Sequence, residues 1–138
     1  MWILVLVLVL LNIWSVRTLK EPENLKKVKE MYTIFLQNIP EKYPQLRNRT
    51  IITGFENKDR ELGYNVNKGY EIGLCLDGTP NQMFHVLIHE LAHSTVNEYS
   101  HSDQFWKNFH ELKDHCVKLG IYQEIPEKTK FCGKYIRD

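Results

Sequence analysis

The feature that most constrains the fold is a strongly apolar segment that follows a clear helix start. Thr79 suits the N-cap position, Pro80 suits the first helical position, and Gln82 completes a capping box. The residues that follow are apolar around most of a helix, at Met83, Phe84, Val86, Leu87, Ile88, Leu91 and Ala92. A helix of this kind must be covered on several sides. The sequence therefore predicts a central, buried helix over about residues 80–97.

Shorter signals on either side of this helix predict an α+β domain. Apolar residues recur at helical spacing from Leu25 to Leu36, and they alternate with other residues from Tyr70 to Leu76, which is typical of a half-buried strand. A cap at Ser102 or Asp103 predicts a long helix that ends at Gly120. The complete prediction is a helix over 24–38, strands over 50–53, 62–66 and 70–76, and the two later helices. Residues 131–136 are expected to form a short strand or a packed extension.

Length and charge limit what this domain can do. At 138 residues the chain is one domain's worth, and 18 basic residues against 17 acidic ones give a net charge of +1. A dedicated nucleic-acid binder usually carries a strong basic excess, so there is no strong signal for DNA or RNA as a partner. The oligomeric state is not readable from these features. Cys75, Cys116 and Cys132 lack CxxC spacing, so they are expected to be buried thiols outside any disulfide framework.

The N-terminus is a second strongly apolar segment. Residues 1–16 have Asn12 and Ser15 as their polar side chains, and basic residues follow from Arg17 onward. A spanning helix needs about 20 apolar residues, or about 17 at the lower end, so this run is slightly short. The positive-inside rule predicts a single-pass membrane protein, with 1–16 as a transmembrane signal-anchor, 17–24 as a linker and 25–138 as a cytosolic domain. The alternative is a cleaved signal peptide and a secreted domain.

His89, Glu90 and His93 form an HExxH motif on the predicted central helix. Histidines four residues apart lie on one face of a helix, so His89 and His93 can bind one metal ion together. Glu90 lies about 100° further round the helix and can act as general base on a zinc-bound water. Imidazole and carboxylate groups on an apolar, buried helix are costly unless they are satisfied, which a zinc ion and its water would do.

A catalytic zinc site needs a third protein ligand. The candidates near the motif are His85, Glu98, His101, Asp103, His110, Glu111 and His115. His85 and His93 lie about 12 Å apart along a straight helix axis, so they cannot share an ion, and His85 is expected to be an ordinary, partly exposed histidine. Glu98 is expected on or near the central helix. His101 follows a predicted break in the chain and can fold back over the metal.

One family resemblance rests on these same residues. The HELAH sequence from His89 to His93, followed by HSDQFW from His101 to Trp106, resembles the WLM and SprT-like metalloproteases. The strand from Ile72 to Leu76 is also similar to theirs, so the resemblance covers about residues 62–120. It implies that His89, His93 and His101 bind one Zn²⁺ per chain and that Glu90 is the general base. It also implies a minimal, gluzincin-like zincin fold, with a small antiparallel-leaning sheet packed on the HExxH helix and a following helix.

Together these features predict a membrane-anchored, zinc-dependent metallopeptidase that hydrolyses peptide bonds in protein or peptide substrates. The strand Tyr70–Leu76 is expected to be an edge strand that pairs with an extended substrate. The oxyanion donor is expected among Tyr99, Tyr122, Tyr135 and His110. The alternatives are a non-catalytic, membrane-tethered zinc-binding interaction module and a secreted protease. The intact Glu90 favours an enzyme, because a structural zinc site does not need it.

Overall fold

Helices and strands form an α+β arrangement, which confirms the expected fold class. A computed structural model describes residues 1–18, 21–57 and 61–138. Within them the helices are α1 (Trp2–Thr18), α2 (Glu23–Leu36), α3 (Pro80–His93) and α4 (Asp103–Lys118), with a 3-10 turn at Pro44–Arg47. The strands are β1 (Ile51–Phe55), β2 (Gly63–Val66), β3 (Glu71–Cys75), β4 (Thr129–Phe131) and β5 (Lys134–Ile136).

The first three strands form a mixed sheet with the order β1–β3–β2. β1 runs parallel to β3, with Ile51 opposite Glu71, and β2 runs antiparallel to β3, with Gly63 opposite Leu74. β4 and β5 form a separate antiparallel hairpin near the end of the chain. Among the described residues, no strand pairs with the outer edge of β2, and this strand lies against α3.

The prediction that Tyr70–Leu76 is an edge strand is wrong. β3 is the middle strand, and its residues from Ile72 to Cys75 are buried. The alternation that suggested an exposed face came partly from Gly73, which carries no side chain of its own. The Tyr64 ring from β2 covers Gly73 so closely that a Cβ atom there would lie 2.3 Å from the ring. In the sequence, Gly73 therefore looked like an exposed position of an alternating strand, although the Tyr64 ring covers it in the structure.

α3 is the central helix that the sequence predicts. It packs against α2, α4, β2 and β3, and Met83, Phe84 and Leu87 are fully buried. Thr79 accepts a hydrogen bond from the backbone N–H of Gln82 and donates its own backbone N–H to the Gln82 side chain, which confirms the capping box.

The C-terminal end of α3 differs from the prediction. The helix ends at His93, and Ser94 is its C-cap. Thr95 donates its hydroxyl to the carbonyl oxygen of Ala92 at 2.6 Å, and Lys68 donates to the carbonyl oxygen of His93 at 3.0 Å. These side chains satisfy carbonyls that would otherwise need another helical turn. The predicted end of the helix near residue 97 is therefore wrong, and Glu98 lies near the helix, in the loop that follows it.

A disulfide joins the sheet to the C-terminal hairpin. Cys75 at the end of β3 is bonded to Cys132, which lies between β4 and β5, with an S–S distance of 2.00 Å. Cys116 is buried and free. The prediction of three unbridged thiols is therefore wrong for Cys75 and Cys132. Their sequence separation of 57 left no local pattern that could reveal the pairing.

The prediction of a membrane anchor over residues 1–16 is also wrong, together with the single-pass localisation that depended on it. α1 has 17 residues. In the described ranges, 1–18, 21–57 and 61–138, no helix combines the length and the apolar character that crossing a bilayer requires. The predicted linker, 17–24, includes residues 19–20, which lie outside the described residues, and the boundary of the domain that follows stays a prediction.

Candidate metal centre

Three histidines converge beside α3. The Nε2 atom of His101 lies 3.1 Å from Nε2 of His89 and 3.2 Å from Nε2 of His93. Zinc binds imidazole nitrogens at about 2.0–2.1 Å, so two ligands of a tetrahedral site lie about 3.3 Å apart. Both separations from His101 are close to that value, and the three ligand atoms all lie within 4.8 Å of one another. Within the described residues, these three histidines form a group that could hold a metal ion, and their binding of zinc stays a prediction.

The start of α4 fixes the position of His101. Ser102 is the N-cap of this helix and accepts a hydrogen bond from the backbone N–H of Phe105 at 3.1 Å. The Phe105 ring is fully buried, and its centroid lies 4.4 Å from that of His93 and 4.9 Å from that of His101. The Trp106 ring stacks on His101 at 5.7 Å. A helix cap and two aromatic rings therefore hold the histidine that follows the loop.

The loop between His93 and His101 is held from the side of the sheet. Lys68, in the turn between β2 and β3, donates to the carbonyl oxygens of His93 at 3.0 Å and Glu98 at 2.6 Å. Asn65 on β2 donates to the carbonyl oxygen of Glu90 at 2.7 Å. Sequence reasoning missed both residues, because a lysine and an asparagine near a turn carry no signal of a contact 25 positions away.

Glu90 is buried next to the three histidines. The residue is 8% exposed, and its burial raises the pKa of the carboxyl group to about 7. It lines two cavities, one of about 340 Å³ shared with His89 and His101, and one of about 170 Å³ shared with His93. Glu90 therefore borders both cavities beside the histidine cluster. Its proton affinity suits a general base that works near neutral pH.

Burial also affects the histidines. It lowers the pKa of His89 to about 3, with the neighbouring imidazoles of His93, His101 and His85 as further causes. The pKa of His93 falls to about 4 for the same main reason, with contributions from His101 and Lys68. Both rings are therefore neutral at pH 7, which is the form that binds a metal.

The other proposed third ligands lie elsewhere. His115 faces the carbonyl oxygen of Asn38 at 2.5 Å, and Glu111 accepts hydrogen bonds from Lys42. The candidate third ligands that lie outside the histidine cluster include Glu98, Asp103, His110, Glu111 and His115.

His85 also lies outside the cluster, but it differs from the partly exposed residue expected. It is 6% exposed, and its Nδ1 atom lies 2.9 Å from Oδ1 of Asp138 and 3.0 Å from the Tyr122 hydroxyl. The expectation is wrong because the C-terminal segment covers this ring, and Asp138 is 53 positions away in sequence.

The four proposed oxyanion donors lie in different surroundings. Tyr99 lines the smaller cavity with Glu90 and His93, and Lys68 lies 4.3 Å from the centre of its ring. The Tyr122 hydroxyl is bound to Asp138 at 2.6 Å. The remaining two are outside both cavities: Tyr135 and His110.

Known proteins resemble this chain along most of its length. It is 31% identical over 97 residues to uncharacterized protein 136R of Invertebrate iridescent virus 6, an alignment that covers 63% of this chain and 54% of that protein. It is 32% identical over 97 residues to uncharacterized protein R325 of Acanthamoeba polyphaga mimivirus, covering 62% and 49%. The aligned part spans about half the length of these curated relatives.

No solved structure is significantly similar to the chain. The sequence model of the WLM domain matches residues 12–135, which include the HExxH motif, His101 and the C-terminal hairpin. The match is longer than the resemblance over 62–120 that the motifs alone supported. The chain belongs to the WLM domain family.

Proposed function

We propose that the chain is a zinc-dependent metallopeptidase that hydrolyses peptide bonds in extended protein segments. The observation that carries this proposal is the convergence of three histidine nitrogens beside Glu90, a buried carboxyl group that is not itself part of the potential ligand group. A purely structural zinc site has no use for such a group. Membership of a family associated with metalloprotease activity supports the same conclusion.

In this proposal His89, His93 and His101 hold the ion and Glu90 moves the proton. A bound zinc would lower the pKa of a water molecule and polarise the scissile carbonyl group. Glu90 takes a proton from the attacking water as its oxygen bonds to the carbonyl carbon. Glu90 then gives that proton to the amide nitrogen as the C–N bond breaks, so one carboxyl group serves both transfers.

The outer edge of β2 is the proposed docking site for the substrate backbone. This edge has no partner strand among the described residues, and Asn65 joins β2 to the carbonyl oxygen of Glu90 at 2.7 Å. Gly63 of β2 also lines the larger cavity together with Glu90, so an extended peptide that adds to β2 would pass beside that cavity. The proposal moves the docking strand from β3, the strand first expected, to β2.

Tyr99 is the proposed oxyanion donor. It lines a cavity with Glu90 and His93, and the Lys68 ammonium group lies against its ring. The hydroxyl of Tyr122 is already committed to Asp138. Of the four candidates, Tyr99 is the one that lines a cavity with Glu90 and whose hydroxyl group makes no hydrogen bond among the described residues.

The test is cleavage of an unfolded, fluorescently labelled protein by the zinc-loaded chain. Glu90→Gln should retain the fold and the zinc but lose about 10²–10⁴-fold in rate, because an amide cannot accept the proton. Glu127→Gln is the matched control, since Glu127 is exposed and lines neither cavity beside the histidines. Equal cleavage by the wild type and Glu90→Gln would refute the mechanism.

A second pair of variants tests the oxyanion donor. Tyr99→Phe should lower kcat by about 10²–10³-fold, the usual effect of removing one such donor, with little change in KM. Tyr135→Phe, the control, should leave both constants unchanged. An unchanged kcat for Tyr99→Phe would remove Tyr99 from the mechanism without affecting the role of Glu90.

A further inference from the structure

The larger cavity beside the three histidines has a buried imidazole in its wall. His85 lies one helical turn before His89 on α3, and it lines the same cavity of about 340 Å³ as His89, Glu90 and His101. It is 6% exposed and is one of the residues that line this cavity. The catalytic mechanism proposed above does not use this side chain.

Asp138 fixes the orientation of the imidazole. Its Oδ1 atom lies 2.9 Å from Nδ1 of His85 and accepts a hydrogen bond of 2.6 Å from the Tyr122 hydroxyl. Its Oδ2 atom accepts the backbone N–H of Ile125 at 2.5 Å. Because both Asp138 oxygens act as acceptors in these contacts, the tautomer that fits has the ring proton on Nδ1 of His85, which donates it to Oδ1.

The same arrangement decides what His85 offers to the cavity. Nδ1 is turned toward Asp138. Among the described residues Nε2 has no hydrogen-bond partner, yet it is not a fully buried atom, so we take it as the ring nitrogen available to the cavity that His85 lines. Nε2 then carries no proton and is a hydrogen-bond acceptor. Burial lowers the pKa of His85 in spite of the opposing effect of Asp138, so the ring is neutral at pH 7.

The other side chains that line the cavity are aliphatic, or they carry opposite charges that cancel. Leu62, Val86 and Ile136 supply aliphatic surface. Glu61 and Lys134 are exposed at the rim and contribute one charge of each sign, which favours neither a cationic nor an anionic occupant. The volume is at the lower end of the range of about 300–1,000 Å³ for small-molecule pockets, which suits one aromatic side chain.

We propose that this cavity binds the substrate side chain next to the scissile bond, and that His85 selects an aromatic side chain ending in a hydrogen-bond donor, tyrosine above all. The assignment rests on the proposed peptidase function. Apolar walls hold the ring, and Nε2 of His85 accepts the hydroxyl proton in a hydrogen bond. Asp138 is the positioning residue, because it sets the tautomer of His85 without touching the substrate.

Binding to the inactive, zinc-loaded Glu90→Gln protein tests this without turnover. Two short peptides that differ only by tyrosine or phenylalanine at one position are titrated, and their Kd values are compared. The tyrosine peptide should bind about 2- to 10-fold more tightly, the usual range for one neutral hydrogen bond. Adding His85→Leu should bring the ratio to about one, whereas the control His115→Leu, outside the cavity, should preserve it.

Two further measurements keep the test valid if His85→Leu fails to fold. That variant leaves the Asp138 carboxylate without its imidazole partner. The double variant His85→Leu/Asp138→Leu is therefore measured as well, because it removes both partners and leaves no unpaired buried charge. Nitrogen-15 NMR of His85 should report a protonated Nδ1 and an unprotonated Nε2. The Nε2 resonance should shift with the tyrosine peptide and not with the phenylalanine peptide, and Asp138→Asn should change the tautomer signal.

The outcomes separate this inference from the proposed function. Cleavage by the wild type without a tyrosine preference, or a preference that survives His85→Leu, overturns the role of His85 and leaves the peptidase proposal intact. A tyrosine preference in binding, with no cleavage of any substrate by the wild type, supports recognition of tyrosine by His85 and refutes the peptidase proposal. Equal Kd values for both peptides overturn the cavity assignment.

Discussion

Reduction of the Cys75–Cys132 disulfide should lower the free energy of unfolding by about 4 kcal/mol. The cross-link closes a loop with a sequence separation of 57. In the chain-entropy model, the cost of closing such a loop in the unfolded chain is about 14 cal/mol/K, or about 4 kcal/mol at 25 °C. Reduction leaves both sulfur atoms in place, so it adds no cavity, and the change reports mainly on the unfolded chain.

The assay is urea unfolding of the metal-free protein at pH 7, with and without reductant. Metal must be absent, because freed thiolates bind zinc. Thiol titration in denaturant should give one free thiol before reduction, from Cys116, and three afterwards. The double variant Cys75→Ala/Cys132→Ala should not respond to reductant. A difference below about 1 kcal/mol between the oxidised and reduced wild type would refute the loop-closure reasoning.

The remaining predictions concern the metal and the pH. The protein should bind one zinc ion per chain, and His101→Ala should weaken binding at least about 100-fold in a competition assay, since even groups that only support ligands contribute about 10–100-fold; an equal loss for His110→Ala would contradict the ligand set. Lys68→Met should weaken zinc binding about 10-fold, because the loop that carries His101 loses its tie to the sheet; an unchanged affinity would exclude that tie. Metal-free protein should be less stable at pH 5 than at pH 7 in urea unfolding. The lowered pKa values of His89, His93 and His85 mean that the unfolded chain takes up protons which the folded chain does not, and the raised pKa of Glu90 opposes this with a single proton. Higher stability at pH 5 would contradict the burial of these rings.

The parts of the fold that sequence predicted well are those set by neighbouring residues. The capping box at Thr79 and Gln82 acts over three positions, and His89 and His93 share a helix face through one turn. Short-range rules therefore located α3 and the motif on it. The position of His101 beside that motif came from the family resemblance, and the structure brings it there through the cap at Ser102 and the ring of Phe105.

The parts that failed depend on contacts between distant segments. Whether β3 is central or at an edge depends on the pairing of β1 and β2 with it, which its own alternation cannot reveal. The bond from Cys75 to Cys132 and the contact between His85 and Asp138 each join the middle of the chain to its last residues. Such pairings arise from the folded geometry, because no local pattern in one sequence marks the partner.

The shortness of β2 limits how a substrate can be recognised. The strand has four residues, which is about 13 Å of extended chain, and only alternate residues of an edge strand point their backbone groups outward. Binding through so few backbone hydrogen bonds depends on the extended conformation of the partner more than on its sequence. A folded protein has already used its own backbone groups in pairing, so it has few to offer, whereas the same protein after unfolding has many. In the proposed reaction, the chain would therefore distinguish two states of one protein more sharply than it distinguishes one protein from another.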